Sequence, residues 1–146
     1  MLKSIKRKAL LARGLSRTDW LVLAGVWWEL FGFNLALRWM SYDRLYKSTR
    51  VISKRTTEPQ FDLAIAQRLH RLIVIASHYH LLRMTCLVQA LTFRRRLARR
   101  GVPAEVRIGA NKLHGRIQAH AWVEVEGKPV GEFEDITERF NVLRSG

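Results

Sequence analysis

The sequence has a single cysteine, Cys86, in 146 residues. No disulfide forms within the chain, and a zinc site built on several thiolates is excluded. Three prolines and nine glycines are too few for a collagenous or proline-rich chain. No repeat and no low-complexity tract appears. Acidic residues are scarce: 12 Asp and Glu stand against 26 Lys and Arg, leaving a formal charge of +14. That balance favours an acidic partner, yet the basic residues are scattered and form no nucleic-acid motif, so nucleic acid is not expected. An uninterrupted membrane span is also missing. Residues 20–40 are long and apolar enough to cross a bilayer, but Glu29 sits in the middle and Arg38 near the end. A charge at the bilayer centre costs about 2.5–3.5 kcal/mol, so the segment is expected to be a buried or interfacial helix. No small-residue cleavage pattern follows it, and no signal peptide is read. The lone thiol fits a reducing cytoplasm, with a membrane surface as a candidate contact of residues 20–40.

Apolar residues make up 48% of the chain, which is ample for a core. Four of the five tryptophans fall in the first 40 residues. Ser16 reads as a helix N-cap with Asp19 in the first turn, opening a helix that the pattern carries to about Met40. A polar, basic connection or short helix follows over 41–60. A second helix begins near Phe61, with Ile65, Leu69, Leu72, Ile73 and Ala76 on one face, and fades at His78–His80. A third runs from Thr85-Cys86 to Gly101, a C-cap residue with Pro103 just beyond. The period then changes to strands: Ala104 to Ala110, a turn over Asn111–Gly115, Ile117 to Val125, a turn at Glu126-Gly127-Lys128, and a return strand over Val130–Asp135. The expected architecture is α+β, with a helical region over 1–60 and a core over 61–146 in which a helix packs on a small antiparallel sheet.

The chemistry concentrates on Cys86 and His120. With Thr85 as N-cap, Cys86 lies in the first turn of its helix, where unpaired amides and the positive dipole end favour a thiolate. Cys86, Ala90, Phe93 and Leu97 form the stripe expected to face the sheet, with the intervening arginines in water. On the following strand His120, Trp122 and Glu124 share one face and Ala121, Val123 and Val125 the other. A helix packed on the His120 face brings sulfur and imidazole together, the arrangement in which a base activates a thiol. The imidazole needs an acid to orient it. A three-residue turn pairs Val125 with Pro129 and places Glu132 diagonal to His120 on its face. A two-residue turn instead brings Asp135 to that face. Glu132 is preferred, because its register also puts Phe133 beside Val123 and Val125.

The stretch CLVQALTFRRRLARRGVPAEVRIGANKLHGRIQAHAWVEVEGKPVGE, Cys86 to Glu132, resembles the transglutaminase-like domain of lasso-peptide leader peptidases. Shared are Cys-Leu opening a helix, Arg-Arg-Gly-Val-Pro closing it, Ala-His-Ala-Trp-Val-Glu-Val, and an acid on the return strand. The resemblance implies a Cys-His-acid triad on a papain-like or transglutaminase-like core. It also implies hydrolysis of one peptide bond, which frees a core peptide for a macrolactam-forming, asparagine-synthetase-like cyclase. The third position usually holds Asp, and this chain has Glu132. Residues 16–82 read as helical and leave no room for a small leader-recognition domain. The likeness is therefore to the split form, which works with a separate recognition protein on the leader of the precursor peptide.

Gln118 is a candidate oxyanion donor beside the Cys86 amide, and Trp122 a candidate groove residue. His70, His78, His80 and His114 show no recurring ligand spacing and read as surface or capping residues, so no metal and no cofactor are expected. Two alternatives remain at this stage. One is another transglutaminase-like acyl transferase or hydrolase using the same triad. The other is a noncatalytic, basic nucleic-acid- or membrane-binding module.

Overall fold

A computed structural model describes residues 15–49, 62–132 and 136–145. Helices α1 (Arg17–Ala36), α2 (Tyr42–Ser48), α3 (Leu63–His78) and α4 (Cys86–Ala98) precede strands β1 (Glu105–Leu113), β2 (Arg116–Val125) and β3 (Lys128–Pro129). A one-turn helix, α5 (Ile136–Arg139), leads into β4 (Asn141–Ser145). The sheet is antiparallel in the order β3-β2-β1-β4. The architecture is α+β, with an N-terminal helical region ahead of a helix-on-sheet core.

Helix α1 starts as its sequence requires. The Ser16 hydroxyl accepts from the Asp19 amide at 3.2 Å, and the Asp19 carboxylate accepts from the Ser16 amide at 2.8 Å. This reciprocal cap satisfies two otherwise orphaned donors. Arg68 of α3 closes on the same carboxylate at 2.6 and 3.1 Å. Those hydrogen bonds, with the Ser16 amide, hold the Asp19 carboxyl down at about 2. The helix stops at Ala36, a turn earlier than the pattern suggested. Glu29, the acid that interrupts the apolar run, binds Arg96 at 2.8 Å and Arg99 at 2.5 Å on α4. Its charge ties the N-terminal helix to the helix carrying Cys86. Among the described residues no helix is long and apolar enough to cross a membrane.

Leu23, Val26, Leu30 and Phe33 of α1 join Leu69, Leu72 and Ile73 of α3 and Val88, Leu91 and Leu97 of α4 in one core. On α3 the buried stripe takes Ala66 in place of the expected Ile65, which is half exposed. On α4 not every arginine reaches water. Arg94 is buried, donating to the carbonyls of Ala104 (2.9 Å) and Tyr46 (2.8 Å) and to the Thr49 hydroxyl, with its guanidinium over the Tyr46 ring. Nε and Nη1 thus both find acceptors, and the charge is tolerated inside.

The sheet differs from the expected meander in three ways. The β1–β2 turn is only His114-Gly115, both in the left-handed region (φ 50° and 78°), so both strands run longer than read. The next turn is also two residues, Glu126-Gly127 (φ 52° and 75°), and pairs Val125 with Lys128 rather than with Pro129. The return strand ends at Pro129, and the far edge of the sheet is completed by β4, which the alternation pattern did not reveal.

Candidate active site

The Thr85 hydroxyl accepts from the Val88 amide at 3.4 Å, which opens α4 at Cys86. Helix α4 packs on the face of β2 formed by Ala121, Val123 and Val125, which belong to the main core. This is the opposite face from the one assumed for a Cys–His meeting. Trp122 is fully buried on the other side. Its indole donates to Glu124 at 3.0 Å, Arg107 holds the other oxygen of Glu124 at 2.8 Å, and Phe140 lies against the ring. Trp122 therefore floors the imidazole, 6.3 Å away and nearly parallel, and its buried ring also borders the cleft beside Cys86. Opposite His120 stands Gly109, where a Cβ would come within 3.0 Å of both Phe140 and Trp122.

Thiol and imidazole still meet, because the edge of β2 is open at this level. The Val130 amide donates to the Val123 carbonyl at 3.0 Å, the last rung toward the return chain. Residues two apart on a strand point their amides the same way, so Ala121 also aims outward at this edge, with no strand to receive it. Cys86 fills the gap and its sulfur accepts from the Ala121 amide. The imidazole of His120 hydrogen-bonds the same sulfur.

The acid comes from the segment after β3. Gly131 adopts φ 80°, and Glu132 then presents Oε1 to His120 Nε2 at 3.2 Å. With Nε2 taken by the carboxylate, Nδ1 is the nitrogen left for the thiol. Cys86, His120 and Glu132 thus stand in one line. Their mutual support appears in their acidities. The hydrogen bond from His120 brings the Cys86 thiol below its ordinary value against the opposing effect of burial, helped by the Ala121 and Leu87 amides. Its bonds to Cys86 and then Glu132 push His120 up to about 9. Both shifts favour a thiolate–imidazolium pair.

Asp135, the alternative acid, lies outside the described residues, as do Phe133 and Glu134. Gln118 is exposed and pairs across the sheet with Asn111; it does not line the cleft around Cys86. A different glutamine does: Gln89, one turn after the cysteine, borders both this cleft of about 30 Å³ and an open groove of about 450 Å³ walled by Val74, His78, Leu82 and Met84. His70 also lines the cleft instead of facing solvent. It packs 5.3 Å from the Phe93 ring, and burial pushes its pKa down. The i, i+3 spacing of Gln89 from Cys86 was a readable signal; His70 carried none beyond its place near the buried face of α3. His80 stacks on Trp27 at 4.3 Å, and Asn34 donates to the Arg83 carbonyl at 3.2 Å, so α1 holds the segment that delivers Cys86. Among the described residues no group of His, Cys, Asp and Glu is arranged to hold a metal ion.

A thiol at a helix N-terminus, an imidazole on the adjoining strand and a carboxylate behind it form an arrangement in which a base can activate a thiol. The transglutaminase-like superfamily model matches residues 27–145. The chain belongs to the transglutaminase-like superfamily, whose members include cysteine peptidases and acyl transferases. Comparison with curated proteins and with solved structures finds no match.

Proposed function

We propose that the protein is a cysteine peptidase that removes the leader from a lasso-peptide precursor. It would act with a separate leader-recognition protein and upstream of an asparagine-synthetase-like cyclase. The observation that carries the chemistry is the Cys86–His120–Glu132 line, with Glu132 on Nε2 at 3.2 Å. The substrate assignment is supported by the Cys-Leu, Arg-Arg-Gly-Val-Pro and His-Ala-Trp blocks shared with leader peptidases.

In this reading the Cys86 thiolate attacks the carbonyl carbon of the scissile bond. A C–S bond forms and the carbonyl electrons move to oxygen. The Cys86 amide, in a helical turn whose amides lack partners within the helix, is one donor to that oxyanion, and Gln89 is placed to supply the other. The His120 imidazolium gives its proton to the leaving nitrogen as the C–N bond breaks, and the core peptide departs with a free amine. Neutral His120 then takes a proton from water, which attacks the thioester; the leader leaves as a carboxylic acid and the thiolate returns. Glu132 fixes the ring and supports its charge throughout.

The test is cleavage of a precursor peptide read by mass spectrometry, with and without the recognition protein. The native chain should release the core peptide, faster when leader binding energy is supplied by the recognition protein. Cys86→Ala should release none while keeping its circular dichroism. An unchanged rate for Cys86→Ala refutes the enzyme reading. Acyl transfer to a small amine without precursor cleavage replaces the peptidase by the acyl-transferase reading.

A further inference from the structure

Helix α1 is apolar nearly all round, and among the described residues only one side of it is covered. Leu23, Val26, Leu30 and Phe33 face the core. On the outer side Leu21 (76% exposed), Trp28 (66%), Leu35 (47%) and, just past the helix, Trp39 (83%) stand in water, with Ala24 and Gly32 between them. Their spacing of three, four and seven residues is one continuous stripe. From Leu21 to Leu35 it extends about 21 Å at a rise of about 1.5 Å per residue. Contiguous exposed apolar surface of this kind marks an interaction site.

The charges identify its occupant. Residues 17–39 contain two carboxylates, and both point inward: Asp19 into its pairing with Arg68, Glu29 into Arg96 and Arg99. The outer face therefore carries no negative group of the helix, while Arg17 and Arg38 are exposed at its two ends. The segment held against α1 by Trp27 and Asn34 adds Leu81, 88% exposed, and the exposed Arg83. Apolar surface carrying Trp28 midway and Trp39 at one end, with Arg17, Arg38 and Arg83 exposed beside it, matches the boundary of an anionic bilayer, where indole rings sit at headgroup level. We propose that the outer face of α1 docks the protein onto an anionic membrane surface, with the helix lying in the interface plane.

Each basic group near an anionic leaflet adds about fivefold to binding. The full-length protein should therefore float with phosphatidylcholine vesicles containing one third phosphatidylglycerol at least about tenfold more tightly than with pure phosphatidylcholine. Tryptophan emission should shift to the blue, and raising salt should weaken the binding. Leu21→Glu/Trp39→Glu should abolish flotation without touching precursor cleavage in solution, since neither residue borders the cleft. Failure to float with either vesicle, or flotation of the double variant at the native level, overturns the proposal. So does a dimer, seen by sedimentation velocity without lipid, that the same double substitution dissolves; that result gives the face to a second copy.

Discussion

Gly131→Ala should disable the site through a residue that touches no substrate. Gly131 follows the last rung of the return chain and holds φ 80°. An alanine pays about 1–2 kcal/mol for the left-handed region. It also needs space that is absent: its Cβ would lie 2.9 Å from the His70 Cβ and closer still to Cγ and Nδ1 of the ring. Ordinary carbon contacts are about 3.5–4.0 Å, so the turn and His70 must part by about an ångström, an overpacking cost of about 1–3 kcal/mol. The fold supplies its own control. Gly127 has φ 75° with nothing within 4 Å of a Cβ, so Gly127→Ala measures the backbone cost alone. Urea melts should show Gly131→Ala less stable than Gly127→Ala by the contact cost, and adding His70→Ala should recover the part due to the ring, since its own Cβ stays 2.9 Å away. Glu132 moves with the turn, and a shift of an ångström at a positioning group costs about 100-fold in rate. Gly127→Ala should keep its turnover. Equal stability and equal turnover for the two alanine variants would refute the reasoning.

With the thiol lowered from its ordinary value of 9.0 and His120 raised to about 9, the ion pair should persist between those two titrations. Iodoacetamide should then alkylate Cys86 rapidly at pH 7, and cleavage should fall as pH rises through about 9 and the imidazolium loses its proton. His120→Ala should move the alkylation midpoint up toward an unassisted thiol; a native midpoint already there would sink the pairing. Glu132→Gln should lower kcat by about 10–10⁴-fold with KM little changed, since the interaction matters most as the imidazolium forms; native kcat in that variant would remove Glu132 from the machinery. Gln89→Ala should cost about 100-fold in kcat and Gln118→Ala almost nothing. The reverse order would return the oxyanion role to the strand residue.

Much of this arrangement is legible in the sequence, because some signals are local. Ser16 with Asp19 and Thr85 ahead of Cys86 fix helix starts by their own hydrogen-bonding chemistry, and Gly101, left-handed at φ 77°, closes the turn that follows α4 at Ala98. The α+β order follows from the change of period after Gly101. Other features depend on contacts between distant segments. Arg94 resembles a solvated residue until the carbonyls of Tyr46 and Ala104 converge on it. β4 is five residues of weak alternation, and it becomes a strand only because β1 has a free edge. The two hairpins lack the Asn-Gly or Asp-Gly pair that announces a two-residue turn. His114-Gly115 and Glu126-Gly127 adopt it nonetheless, with a non-glycine residue left-handed at the first place.

The acid shows how a wrong register still points to the contacting residue. In the observed two-residue turn, Glu124 opposes Pro129 and Val125 opposes Lys128. Continued regularly, that ladder would set Glu132 opposite Ala121, on the face away from His120. The ladder does not continue. Gly131 turns left-handed directly after Val130, the chain leaves the sheet, and the one-residue slip is undone at the position where it matters. The early end of β3 has a second consequence. It opens the edge of β2 at Ala121, so α4 can pack on the Val123 face and still bring its first residue to an amide that a longer ladder would have occupied. Thiol, imidazole and carboxylate therefore meet around the rim of the sheet rather than across one face. What positions them is the length of the return strand, set by Gly131, more than the alternation of β2. A substitution that lengthened β3 would close this edge and displace both Cys86 and Glu132 from His120, even with all three residues intact.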